Sequence, residues 1–101
     1  MRVIVFFDLP MLTSAERRTY RKFRKYLIRS GFIMEQESVY SKLAVNSSAA
    51  ETITLNLKKN SPTTGLVQLM RVTEKQYSKM EYIVGKRNLE ILDSDERLVF
   101  L

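Results

Sequence analysis

The feature that most constrains this chain stands at its start. From Val3 to Phe7 every residue is apolar (VIVFF), with Arg2 before the run and Asp8 after it. β-Branched and aromatic side chains favour a strand, and an unbroken apolar run, unlike an alternating one, fits a strand buried on both faces. Such a strand belongs in the middle of a sheet. The rest of the chain must then supply a neighbour on each side and cover above and below. Leu9-Pro10 ends the run, because proline has no N–H to give to a ladder.

The remaining 93 of 101 residues contain suitable pieces. Thr13 or Ser14 caps a helix expected to reach about Ser30, with Gly31 as the left-handed residue past its end. Phe32 to Val45 reads as extended, with a turn or bulge near Gln36-Glu37 that makes it a hairpin. Ser48 and Glu51 have capping-box spacing and open a second helix to about Lys59, with Ala50, Ile53 and Leu57 inward. Asn60-Ser61-Pro62 stops that helix. Leu66 to Thr73 is the next strand, and Glu74 to Met80 a short helical turn capped by Thr73. Tyr82 to Val84 reads as a short strand ended by Gly85, and Arg97 to Leu101 as a final one.

This order predicts an α+β domain of ferredoxin-like split βαβ plan (βαββαβ) with an extra C-terminal strand. Its antiparallel sheet carries the helices on one face, and residues 1–101 form one domain. With 45% apolar residues, a single core can form without metal or disulfide support. Leu98, Val99, Phe100 and Leu101 would leave an apolar edge at the chain end. A second protomer is the simplest partner for that edge, and closure onto the chain's own sheet is the alternative.

Three zeros narrow the chemistry: there is no Cys, no His and no Trp. A zinc site of Cys or His type, a thiol nucleophile and a histidine general base are all excluded. Hydrolysis by this chain must rest on carboxylates, hydroxyls, lysine or a bound hard cation. No apolar run approaches the roughly 18–20 residues of a membrane span, and the start lacks the pattern of a signal peptide. A cytoplasmic protein without membrane contact is the expectation.

The charge is concentrated. Lys and Arg total 17 against 11 Asp and Glu, for a net charge of +6. Residues 1–30 hold eight basic groups opposed only by Asp8 and Glu16, which gives +6 for that segment alone; the other 71 residues balance at nine of each sign. At 100° per residue, Tyr20, Phe23, Tyr26 and Leu27 fall within an arc of roughly 120° on the first helix. Arg17, Arg18, Arg21, Lys22, Arg24, Lys25 and Arg29 fill another arc of about 160°. That cationic face is about 18 Å long at 1.5 Å per residue. Seven of the thirteen residues from 17 to 29 are cationic and none is acidic, so no ion pairs along the helix relieve the repulsion. A merely solvated helix mixes its charges. This pattern predicts a polyanion-binding face that grips phosphates and does not read bases. Four to six phosphates engaged would give a slope of log K against log salt of about −4 to −5.

Asp8, at the end of the apolar strand, has two readings. It can open an Asx turn before Leu9-Pro10, or it can ligate a divalent cation. Mg²⁺ commonly takes one or two carboxylates together with waters and substrate phosphates. One carboxylate per chain is few, but a two-fold axis near Asp8 would supply two. Glu35 and Glu37 would share a face if their strand is regular, whereas Asp93, Asp95 and Glu96 read as solvated. Tyr20, Tyr26, Tyr40, Tyr77 and Tyr82 have spacings that fit a core better than a base-stacking platform. Ser38 and Ser41 have no visible activating base.

Taken in order, several segments resemble the CRISPR-associated protein two family, the small subunit of CRISPR spacer acquisition. They are Phe7-Asp8-Leu9-Pro10, Tyr20 to Lys25 (YRKFRK), Gly31 to Met34 (GFIM), Gln36, Ser38 to Tyr40 (SVY), Val72 to Tyr77 (VTEKQY) and Asp95 to Leu101 (DERLVFL). The likeness spans the chain and is greatest to the type II-A members. It implies a ferredoxin-like homodimer in which C-terminal strands help to join protomers or hold the partner. In family terms the dimer bridges two dimers of the integrase subunit, CRISPR-associated protein one, and holds a prespacer double-stranded DNA for insertion at the CRISPR array. The family is also described as a divalent-metal-dependent endonuclease on RNA or DNA. The resemblance maps its aspartate onto Asp8, so that Asp8 of both protomers would hold Mg²⁺, or another divalent cation such as Mn²⁺, for hydrolysis of single-stranded RNA or of DNA.

Overall fold

In the computed structural model, residues 1–86 are described. The apolar run forms β1 (Arg2–Asp8), followed by α1 (Ser14–Arg29), β2 (Ile33–Gln36), β3 (Val39–Leu43), α2 (Ser47–Asn60), β4 (Leu66–Val72) and α3 (Glu74–Ser78). The strands make one four-stranded sheet in the order β2-β3-β1-β4, and every pairing is antiparallel. This is the expected split βαβ arrangement. β1 is flanked on both sides, with Val5 opposite Tyr40 on β3 and Leu69 on β4.

β1 is covered on one face throughout and on the other up to Ile4, with Phe6 half-buried beyond it. Val3, Val5 and Phe7 point toward α1 and α2 and are 0, 0 and 5% exposed, while Ile4 on the other face is 7% exposed. Each such side chain contributes about 1.5–3 kcal/mol by leaving water. α1 lays Phe23 and Leu27 onto this layer, the Phe23 ring meeting Phe7 edge-on at 5.1 Å between centroids. Ala50 and Leu57 bring in α2, and Ile53 packs partly buried against the same core.

The helix starts show how local chemistry sets boundaries. Thr13 caps α1 in a full capping box: its hydroxyl accepts from the Glu16 N–H, and the Glu16 carboxylate accepts from the Thr13 N–H. α2 begins earlier than its Ser48/Glu51 spacing suggests. Asn46 takes the cap by accepting from the Ala49 N–H, so Ser48 lies inside the helix and its capping box is not used. Asparagine caps at least as well as serine, which decides the competition.

α1 and α2 cover one face of the sheet, and the short α3 lies against the other. Thr73 caps α3 with a capping box to Gln76, and Tyr77 reaches from it to Glu35 on β2. Two expectations need correction. Glu35 and Glu37 do not share a strand face, because the β2–β3 register shifts between Met34 and Gln36 and the strand ends at Gln36. Nor do Tyr82 to Val84 form a strand. No ladder among the described residues pairs with them, and Ile83 and Val84 are 87 and 90% exposed. The expected final strand, with Leu98, Val99, Phe100 and Leu101, lies outside the described residues. Among the described residues no helix is long and apolar enough to cross a membrane.

Candidate nucleic-acid interface

The basic face of α1 is directed away from the core. Packing Phe23 and Leu27 inward turns Arg18, Arg21, Lys22, Lys25 and Arg29 outward, and all five are exposed. None of them meets a carboxylate. The two ion pairs among the described residues lie elsewhere, between Arg2 and Glu74 and between Arg71 and Glu51. Arg18, Arg21, Lys22 and Lys25 therefore stand as an uncompensated ridge.

Arg17 and Arg24, on the flank of the same helix, have local roles as well. Arg17 donates through one guanidinium nitrogen to the carbonyls of Met11 and Leu12, at 3.2 and 2.9 Å, and so ties down the loop after Pro10. Arg24 donates through Nε to the Tyr40 hydroxyl at 2.9 Å. Tyr40 is only 1% exposed, and burial raises its pKa above the ordinary tyrosine value while the Arg24 bond works against that rise. Each guanidinium keeps further N–H groups for an outside acceptor.

Asp8 closes β1 opposite Leu66 and is exposed, and its carboxylate makes no hydrogen bond or ion pair among the described residues. No group of three His, Cys, Asp or Glu among those residues could hold a metal. What Asp8 offers is one free carboxylate, which fits a hard cation only if waters, phosphate oxygens or a second copy complete the shell. The backbone around it is tightly held. Gly65, with φ +88°, lies against this corner so closely that a Cβ there would be 2.7 Å from Leu9 Cδ2 and 3.0 Å from the Asp8 carbonyl oxygen. On the other side the Phe7 N–H donates to the Ser38 carbonyl at 3.1 Å. Ser38 has φ +68° and its hydroxyl is 3.2 Å from that of Tyr20, so the β2–β3 turn is braced against α1.

Four of the five tyrosines are packed: Tyr40 and Tyr77 are buried, Tyr20 and Tyr26 half-buried, and only Tyr82 is exposed. One polar cluster was not readable beforehand. The carboxylate of Glu35 accepts from the hydroxyls of both Ser41 and Tyr77. Arg2 donates to Ser41 at 3.2 Å, pairs with Glu74 at 2.9 Å, and lies 4.1 Å over the Tyr77 ring. The bond to Glu74 is the main reason the Arg2 pKa is raised. This cluster fastens α3 across one end of the sheet, and among the described residues nothing covers the Asp8 end of that face. There Leu66 is 54% exposed beside half-buried Phe6, and Met70, opposite Ile4, is 49% exposed.

Comparison with known proteins bears on the family and the fold. The family model described as CRISPR associated protein Cas2 matches residues 1–80. A protein of Treponema denticola named CRISPR-associated endoribonuclease Cas2 is 57% identical over 101 residues, covering all of both chains. One of the same name from Streptococcus mutans serotype c (strain UA159) is 52% identical over all of this chain and 93% of its own length. A third, from Ligilactobacillus salivarius, is 46% identical across the full length of both. Among solved structures, Streptococcus pyogenes Cas2 at pH 6.5 superposes with a TM-score of 0.62 at 20% identity, over 83% of this chain and all of that one, a likeness of fold. With a family model matched over four-fifths of its length and full-length relatives above half identity, this chain belongs to the CRISPR-associated protein Cas2 family.

Proposed function

We propose that this protein serves CRISPR spacer acquisition as a homodimeric subunit that bridges dimers of the integrase subunit and holds prespacer double-stranded DNA by its sugar–phosphate backbone. The observation that supports this most is the outward ridge of Arg18, Arg21, Lys22 and Lys25, flanked by Arg17 and Arg24, with no carboxylate among the described residues paired to any of them. Contacts of that kind are independent of base sequence, as capture of DNA of any origin requires. Dimerisation is supported by the half of the sheet face that no described residue covers. On the sheet face that carries Asp8, Leu66 opposite it, half-buried Phe6 and, farther along β4, Met70 expose apolar surface that a second copy would cover. Two basic helices related by such an axis double the positive surface.

The relatives' name, endoribonuclease, together with the free carboxylate of Asp8, favours a second reading: metal-dependent hydrolysis of phosphodiesters at the dimer axis. Asp8 of each protomer would then hold Mg²⁺ or Mn²⁺. The cation would supply activation of water and neutralisation of charge at the phosphorus. The chain's own part is to fix two carboxylates at the ends of two rigid central strands. Spacer acquisition in cells separates the readings. Neutralising Arg18, Arg21, Lys22 and Lys25 is expected to abolish acquisition while Asp8→Ala leaves it intact. Acquisition that survives loss of the ridge would refute the architectural role.

A further inference from the structure

α1 is not the only wall of the positive surface. Between it and the α2–β4 loop lies a groove of about 290 Å³, lined by Thr19, Lys22, Phe23, Asn60, Ser61, Pro62, Thr63 and Thr64. Its donors divide into two sets. Thr19, Asn60 and Ser61 spend theirs on the helix carbonyls of Ala15, Asn56 and Leu57. Lys22 is exposed and meets no carboxylate, and the Thr63 and Thr64 hydroxyls have no hydrogen-bond partner among the described residues. Nor do the backbone N–H groups of Thr63 and Thr64 enter any backbone hydrogen bond there. Lys58 and Lys59, in the last turn of α2, add positive charge just before the loop.

This loop is held in place. Gly65 sets it against the Asp8 carbonyl and Leu9, an approach that a Cβ would crowd at 3.0 Å from the carbonyl oxygen and 3.2 Å from Leu9 Cα. A fixed concavity that combines one free ammonium with free hydroxyl and amide donors, and has no acidic side chain in its lining, suits a phosphate group. We infer that the groove is a second backbone subsite: Lys22, Thr63 and Thr64 bind a phosphodiester of the same duplex that lies along α1. The inference rests on the duplex-binding reading above, and gives the α2–β4 loop the task of fixing where the strand leaves the helix.

The test measures affinity of the full chain for a random-sequence DNA duplex over a series of salt concentrations. Thr63→Val with Thr64→Val keeps the side-chain shape and removes both hydroxyls. Binding is expected to weaken about tenfold, from two lost hydrogen bonds. The salt slope should not change, because hydroxyls displace no cations. Lys22→Gln should weaken binding and also flatten the slope by about 0.9. Thr64→Asp, which places a carboxylate in the groove, should weaken binding more than the valine pair does. Thermal melting confirms that each variant is folded. If wild-type affinity persists in the valine pair or in Thr64→Asp, the subsite is refuted while duplex binding by α1 stands. If the unaltered chain shows no salt-sensitive duplex binding, the functional reading falls and the subsite with it.

Discussion

Gly65→Ala tests how the structure holds Asp8. Gly65 and Gly31 have nearly the same backbone conformation, φ +88° and +93°. Alanine in that left-handed region costs roughly 1–2 kcal/mol at either position. Their surroundings differ. A Cβ at Gly31 would meet only the far end of the Lys42 side chain, at 3.4 Å, which can swing aside. At Gly65 it would meet Leu9 Cδ2 at 2.7 Å, and also two backbone atoms, the Asp8 carbonyl oxygen at 3.0 Å and Leu9 Cα at 3.2 Å, which cannot yield without moving the end of β1. Overpacking of that kind adds about 1–3 kcal/mol. The expected losses are therefore about 2–5 kcal/mol for Gly65→Ala and about 1–2 for Gly31→Ala. Urea unfolding followed by circular dichroism at one fixed protein concentration measures both, since a dimer's stability depends on concentration. Equal losses in the two variants would refute the claim that the α2–β4 loop is locked against the Asp8 corner.

Further predictions concern single groups. Tyr77→Phe removes one of the two hydroxyls that Glu35 accepts from, and should cost about 1.5–3 kcal/mol in chemical unfolding, with the Arg2 contact to the ring kept. A loss below about 0.5 kcal/mol would mean that the cluster does not hold α3. Burial raises the Tyr40 pKa, so above about pH 10 the unfolded chain gives up this proton more readily than the folded one. Stability should thus be unaffected by Tyr40 below that pH and fall above it. In Tyr40→Phe, which cannot ionise there, that part of the alkaline loss should vanish. Asp8→Asn changes an exposed side chain without hydrogen bonds, so stability should move by no more than about 0.5 kcal/mol. Any Mg²⁺-dependent cleavage of single-stranded RNA should nonetheless be lost. Cleavage that persists in a folded, dimeric Asp8→Asn variant would remove Asp8 from the chemistry.

What could be read from the chain alone follows the range of the interactions. The position of β1 and the two faces of α1 are set by neighbours in sequence, so runs and periodicities reveal them. The same is true of the Thr13 and Thr73 caps, whose partners are three residues away. The start of α2 was misplaced by two equally local options, Asn46 and Ser48, between which spacing alone does not choose. A turn or bulge near Gln36-Glu37 is legible, but its exact register at Glu35, and the absence of a ladder to Tyr82 to Val84 among the described residues, depend on what lies opposite, which no local pattern records. The Tyr77–Glu35 bond joins residues 42 apart in the chain, and Arg24 meets Tyr40 across 16. The sequence therefore shows Glu35 only as a hairpin acid beside Glu37, and Arg24 as one more ridge cation. Nor does the composition of Asn60 to Thr64 distinguish a loop stop from a groove wall, because the facing wall is Thr19, Lys22 and Phe23 of α1, far away in the chain.

The central claim is that the α1 ridge exists to bind the phosphate backbone, and the salt dependence of duplex binding tests it most directly. For the unaltered chain, log K against log salt should fall with a slope of about −4 to −5. Replacing Arg18, Arg21, Lys22 and Lys25 with Gln should flatten it by about 3.6, at 0.9 per cation. A slope that stays the same after all four charges are gone would contradict the account.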